Sequence, residues 1–209
     1  SGSTISGNIS GFTGTSLSGI FIGGANTISG NTSNIPTTIS FNTILLYGNN
    51  TLTGDITNIP SNITELRLDG QNTIGGDISG LNTSTLRYFA VGGNNTISGG
   101  FSGFPSSTGI KVFSLLGGSI DLTPGSASGM VLPSGIGNFT YYPTVSGLSS
   151  ADVDSILFAA TAQTSWVDPY NGFARSIDLR GANSAPTAAS LAARLALTGS
   201  PYNLAVYTN

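Results

Sequence analysis

The chain has 209 residues, of which Ser, Thr, Asn and Gly supply 103, and it carries 6 basic and 9 acidic side chains for a formal charge of -3. With neither Cys nor His, disulfide frameworks, zinc fingers and triads that need an imidazole base are excluded, and six scattered basic residues cannot neutralise a run of phosphates, so nucleic acid is not an expected partner. A hydrophobic content of 38% at so low a charge predicts a folded chain, and the lack of any apolar run near the ~18 residues of a membrane span predicts no membrane insertion.

Along the chain, the first signal is an internal repeat. LSGIFIGGANTISG, FNTILLYGNNTLTG, ITELRLDGQNTIGG, LRYFAVGGNNTISG and GIKVFSLLGGSI align on Gly24, Gly48, Gly70, Gly93 and Gly117, at spacings of 24, 22, 23 and 24 residues. That period suits one coil of a solenoid. Each unit opens on two apolar residues at alternate positions: Ile20 and Ile22, Ile44 and Leu46, Leu66 and Leu68, Phe89 and Val91, Phe113 and Leu115. Period two predicts a short strand with one buried face. Glycine follows, and in four units Asn comes two residues later, at Asn26, Asn50, Asn72 and Asn95. An amide at a fixed turn position can bond the backbone of its own coil and the next, so stacked coils predict an Asn ladder. A further buried aliphatic (Ile28, Leu52, Ile74, Ile97) and a second glycine close each unit.

The second half changes character. NFTYYPTV reads as a strand with Phe139 and Tyr141 inward. SSADVDSILFAATAQT reads as a helix with Ser149 and Asp152 spaced as a capping box. SIDLRGANSAP restores the strand-turn signature with Ile177, Leu179, Gly181 and Asn183, which extends the ladder. Thr187 to Thr198 reads as a second helix ended by Gly199, and YNLAVYT as a last strand.

The units resemble leucine-rich repeats, and LTGDITNIP (Leu52 to Pro60) is close to the NxLxGxIP form of that motif, although strand and Asn stand one residue further apart than in LxLxxN. The last units are similar to those of leucine-rich-repeat proteins from bacterial surfaces and phage virions. The resemblance implies an α/β solenoid, a horseshoe with a parallel β-sheet on its concave side. Residues 1–122 would be repeats with short Gly/Asn-rich loops. Residues 123–209 would continue them with two helices that form a C-terminal cap, in one continuous domain. Because the sequence starts inside a coil, its first coil is expected to contact an upstream part of a longer polypeptide or a neighbouring subunit, with Ile5, Ile9 and Phe12 partly exposed.

Residues between and just after each buried pair must point away from the core. Besides the small or neutral Ala90, Gly92, Ser114 and Thr140, these are Phe21, Leu45, Tyr47, Arg67, Asp69, Leu116, Tyr142, Asp178 and Arg180, with Tyr88 and Tyr207 joining the same face. Tyr and Arg beside exposed apolar groups have the composition of a recognition patch, so these eleven are the candidate ligand-binding residues. No acidic pair, among Asp55, Asp77, Asp121, Asp152, Asp154, Asp168 and the rest, has the look of a glycosidase cleft, so no catalytic residue, metal site or cofactor is expected. The resemblance points to a non-catalytic, extracellular or virion-borne module. Its expected partner is a host cell-surface glycan or protein, and its expected place is the tip of a phage tail fibre or spike. A cell-surface adhesin and a self-assembling structural subunit are the alternatives. A row of Thr27, Thr51, Thr73 and Thr96, expected about 4.8 Å apart, adds ice binding as a third.

Overall fold

The computed structural model describes residues 5–12, 19–35, 43–81, 85–99, 109–118, 121–122, 127–163, 165–167 and 174–209. The chain winds as a parallel β-solenoid of about five turns with few helices. Among the described residues eight strands form a first sheet: β2 (Gly19–Ile22), β4 (Thr43–Asp55), β5 (Glu65–Asp77), β6 (Tyr88–Gly93), β8 (Val112–Leu116), β10 (Asn138–Tyr142), β11 (Ser176–Leu179) and β12 (Ala205–Thr208).

Register in this sheet follows the apolar alternation. One inward row runs Ile20, Ile44, Leu66, Phe89, Phe113, Phe139 and Ile177 across adjacent strands. A second, two residues on, runs Ile22, Leu46, Leu68, Val91, Leu115 and Tyr141, and every residue from Ile44 and Leu46 onward is fully buried. A slip of one residue would turn both rows to water, which is why the pairing is fixed. At the centre the rings of Phe89, Phe113 and Phe139 stack, with centroids 5.4 and 5.3 Å apart.

Where Gly/Asn-rich loops are expected after the ladder position, the chain instead forms a second run of parallel strands. β1 (Ser6–Asn8), β3 (Thr27–Asn31), β7 (Thr96–Gly99) and β9 (Asp121–Leu122) pair there with the distal halves of β4 and β5. In this run β3, β4, β5 and β7 each present one buried aliphatic (Ile28, Leu52, Ile74, Ile97), too few for an alternation to be visible. This run is offset. Ser29 pairs with Thr51, Thr53 with Thr73 and Gly75 with Thr96, so equivalent residues of consecutive coils sit two positions apart. Thr27, Thr51, Thr73 and Thr96 therefore form no straight row, which removes the geometry on which ice binding rested.

The corner between the two strands of a coil explains the glycines. Gly70 has φ +131, and a Cβ there would meet the backbone N of Asn50 at 2.7 Å and the carbonyl of Gly48 at 2.7 Å. Both the left-handed backbone and the approach of the preceding coil exclude a side chain. After the second strand, single 3-10 turns at Ile9–Gly11, Thr32–Asn34, Ile56–Asn58 and Ile78–Gly80 are capped by Asn8, Asn31, Asp55 and Asp77, whose side chains accept from the N–H two residues on. Asp55 and Asp77 thus have a capping role. Thr57, donating from both its hydroxyl and its backbone, holds the Asp55 carboxyl below its usual range.

The helices lie late in the chain: α1 (Ser150–Thr161) between β10 and β11, and α2 (Leu191–Thr198) between β11 and β12. Ser149 caps α1, accepting from the Asp152 N–H at 3.2 Å. Asp154 is buried and ties α1 to the approach to α2, accepting from the Thr187 N–H at 3.0 Å and from the Thr187 hydroxyl. At the other end, Ile9 is fully buried beneath the second coil, while Ile5 stays 52% exposed and Phe12 half-buried; for Ile9 the expectation of exposure is corrected, because β3 covers it from above.

Candidate functional site

The Asn residues at the corner are structural. The N–H of Ile28 donates to Asn50 Oδ1, of Leu52 to Asn72 Oδ1, of Ile74 to Asn95 Oδ1 and of Ile5 to Asn26 Oδ1, all at 2.8 to 3.0 Å. On the donor side, Asn50 Nδ2 reaches the Asp69 carbonyl of the next coil, Asn72 Nδ2 the carbonyls of Leu68 and Gly92, and Asn26 Nδ2 that of Gly23. Asn183 repeats the pattern against Leu148 N–H and the carbonyls of Tyr141, Leu179 and Arg180. Each amide replaces backbone partners that the turn removes. Asn95 Nδ2 is the exception, buried without an acceptor among the described residues.

On the outer face of the first sheet, pairing sets the candidate residues in rows. Phe21, Leu45, Arg67, Ala90, Ser114, Thr140, Asp178 and Tyr207 lie side by side in that order. Tyr47, Asp69, Leu116, Tyr142 and Arg180 follow the same strands two residues on. Two groups of like composition result. In the first, Arg67 Nε donates to Asp69 Oδ2 at 2.8 Å while its guanidinium lies 4.8 Å from the Tyr47 ring centroid. Tyr88 borders it: burial raises its phenol above the usual tyrosine range, against the opposing pull of Arg67. In the second, Arg180 grips Asp178 through two nitrogens at 3.0 and 2.8 Å and lies over Tyr207 at 4.7 Å and Tyr142 at 5.9 Å. Asp178, by hydrogen bond and charge, holds the Arg180 guanidinium above its usual value.

Four strand steps separate the Arg67 and Asp178 positions, about 19 Å at the usual spacing. Between them lie the small residues Ala90, Gly92 and Ser114, all buried. This stretch of small side chains, with Leu116 beside it, is termed the trough here, and an aromatic, hydrogen-bonding group stands on each side of it. Phe21 at 69% and Leu116 at 40% exposure extend its apolar surface, and Leu45 is half-buried within the first row.

Sequence reasoning places these eleven side chains on one face but not in two groups, because the Tyr142, Asp178, Arg180 and Tyr207 contacts join three strands separated by helices. It also places Ala90, Gly92 and Ser114 on that face but gives them no role in binding, since small residues carry no signal of their own. Asp69 and Asp178 belong to different groups, too far apart for the roughly 5–10 Å of a carboxylate pair in glycoside hydrolysis. Among the described residues no three acidic side chains gather as metal ligands, and no helix is long and apolar enough to cross a membrane. Asp168 and the side chain of Asp121 lie outside the described residues. No protein-family model, curated protein or solved structure gives a match to this chain.

Proposed function

We propose that the chain is a non-catalytic recognition module, the receptor-binding tip of a phage tail fibre or spike, and that the trough binds a glycan on the host surface. One observation carries the reading: two Tyr-Arg-Asp groups flank a stretch of the sheet whose side chains are small at Ala90, Gly92 and Ser114. Tyr rings offer flat apolar area to the C–H face of a sugar. The Asp and Arg side chains, already fixed by one another, keep lone pairs and N–H groups for its hydroxyls. Such preorganised aromatic and Arg anchors concentrate binding energy. On this reading the solenoid is a leucine-rich-repeat horseshoe with the trough on its concave side, an extracellular part of a virion. The repeat period and Asn ladder support that view, and the second strand of each coil departs from it.

The test compares binding of the folded protein to candidate host cells for Tyr47→Ala with Arg67→Ala against Thr51→Ala with Thr73→Ala. The first pair should lose at least about tenfold in affinity and the second should bind as the parent does. Loss confined to the Thr pair would move the site to the other strand run. A second reading, a self-assembling subunit, is favoured by Leu191 and Leu195, which α2 leaves 50% and 65% exposed. Light scattering that shows a concentration-dependent oligomer, dispersed by Leu195→Ser, would support it. A cell-surface adhesin would share the trough and differ only in what carries it.

A further inference from the structure

A second depression lies away from the trough, at the end where β5, β6 and β8 begin. It has a volume of about 600 Å³, and Thr64, Arg87, Lys111, Ser134 and Val167 line it with glycines between. Thr64, Arg87 and Lys111 hold the same place in three successive coils: the Arg87 N–H donates to the Thr64 carbonyl at 2.7 Å and the Lys111 N–H to the Arg87 carbonyl at 2.8 Å. The backbones of Arg87 and Lys111 are thus one strand spacing apart, about 4.8 Å, and like charges placed directly opposite across a sheet destabilise it.

The chain has only six basic residues. Arg67 and Arg180 pair with Asp69 and Asp178, Arg175 donates to the Trp166 carbonyl at 3.2 Å, and Arg194 stands in the field of Asp154. Arg87 and Lys111 form no ion pair among the described residues. Two cations side by side with no ion pair among the described residues, in an acidic protein with a sequence pI near 4.4, depart from the local rule, and such departures mark functional sites.

We propose that this groove binds an acidic saccharide unit, a single sugar ring bearing a carboxylate or a phosphate, with Arg87 and Lys111 clamping the anion. The guanidinium fork and the ammonium supply charge-assisted donors. The size suits one or two sugar rings, and the lining sets the hydroxyls of Thr64, Thr85 and Ser134 beside apolar surface that includes Val167, which offers a sugar both hydrogen-bond partners and a contact for its C–H face. The net negative charge of the protein disfavours a dense polyanion. This site is independent of the trough and stands or falls separately from it.

The experiment is an amide chemical-shift titration of the whole chain with glucuronic acid, glucose 6-phosphate, inorganic phosphate and glucose. Both acidic sugars should give saturable shifts at Arg87, Lys111 and Gly135, weakened by added salt. Arg87→Gln with Lys111→Gln should weaken them at least about tenfold without lowering the melting temperature, since a like-charge pair is relieved, whereas Arg87→Lys should keep most of the binding. The proposal is overturned if neither acid gives a saturable shift or if the double variant titrates as the parent does. It is overturned in its ligand class if inorganic phosphate saturates as readily as glucose 6-phosphate, or if neutral glucose does.

Discussion

The first four strands of the main sheet (β2, β4, β5, β6) and the last four (β8, β10, β11, β12) share one register and two inward rows, yet the chain returns between them by different routes. In the early coils the way back is a second strand and a capped 3-10 turn; β10 to β11 and β11 to β12 are joined through α1 and α2. Asn72 and Asn183 nonetheless make the same bonds, each donating to the carbonyl four residues earlier and accepting an N–H from a neighbouring segment. The sheet therefore constrains the corner and leaves the return path free, provided the backbone groups at the corner find partners.

The largest expected effect lies at the seam between the two regions. Phe113→Ala removes the middle ring of the Phe89, Phe113, Phe139 stack and should cost about 3–5 kcal/mol; denaturant unfolding should show it. If the halves were separately stable, the same variant would instead split the transition in two. Next, Gly70→Ala should cost about 2–4 kcal/mol from left-handed strain and collision with the preceding coil. Gly129→Ala, at φ +73 with open space around its Cβ, should cost only about 1 kcal/mol. Equal losses would mean that coil-to-coil approach adds nothing.

Removing the amides comes third. Asn72→Ala and Asn183→Ala should each cost roughly 1–3 kcal/mol, by thermal melting, because buried backbone groups lose partners. Asn95→Ala should cost less, its Nδ2 having no acceptor among the described residues. A silent Asn183→Ala beside a damaging Asn72→Ala would show that helices relieve the corner of its need for an amide.

Acid probes the same contrast more gently. Burial pushes the Asp154 carboxyl up, but hydrogen bonds from Ser190 and Thr187 outweigh it and leave the group below its ordinary value; Asp55 is lowered as well. A carboxyl depressed on folding stabilises fully above its unfolded value of about 3.9 and loses that contribution as pH falls through the folded value. Melting followed below pH 4 should flatten in Asp154→Asn more than in Asp55→Asn, because Asp154 is 6% exposed and joins two elements. The reverse order would place the acid-sensitive contacts in the early coils. Smallest of all, Arg67→Ala should change stability by less than about 1 kcal/mol, its ion pair with Asp69 being part-exposed.

How much of this was legible follows from what leaves an imprint on residue type. Two inward positions per strand imprint an alternation, a left-handed corner imprints glycine, and an inter-coil amide imprints Asn, so the main sheet and its turns could be read. A second strand with a single inward residue imprints almost nothing, and NTISG looked like loop. The trough was half-legible: alternation puts Arg67, Asp69, Asp178 and Arg180 outward, but the stacking of Arg180 on both Tyr142 and Tyr207 depends on how helices bring β11 and β12 alongside β10. Arg87 and Lys111 precede their strands by one residue and fall outside every pattern, so only the fold brings them together.

The two-residue offset of the second strand run has a consequence for how such a chain could grow. The pairs Ser6 with Thr27, Ser29 with Thr51, Thr53 with Thr73 and Gly75 with Thr96 carry the same offset at four successive junctions. A tandem copy of one whole unit, such as residues 48–69, would therefore meet both neighbours with the register they already use, while a gain or loss of one or two residues at a corner would satisfy one sheet and misalign the other. Length in this molecule is quantised: it can be added by duplication of a unit, and the outer face would widen by one strand each time.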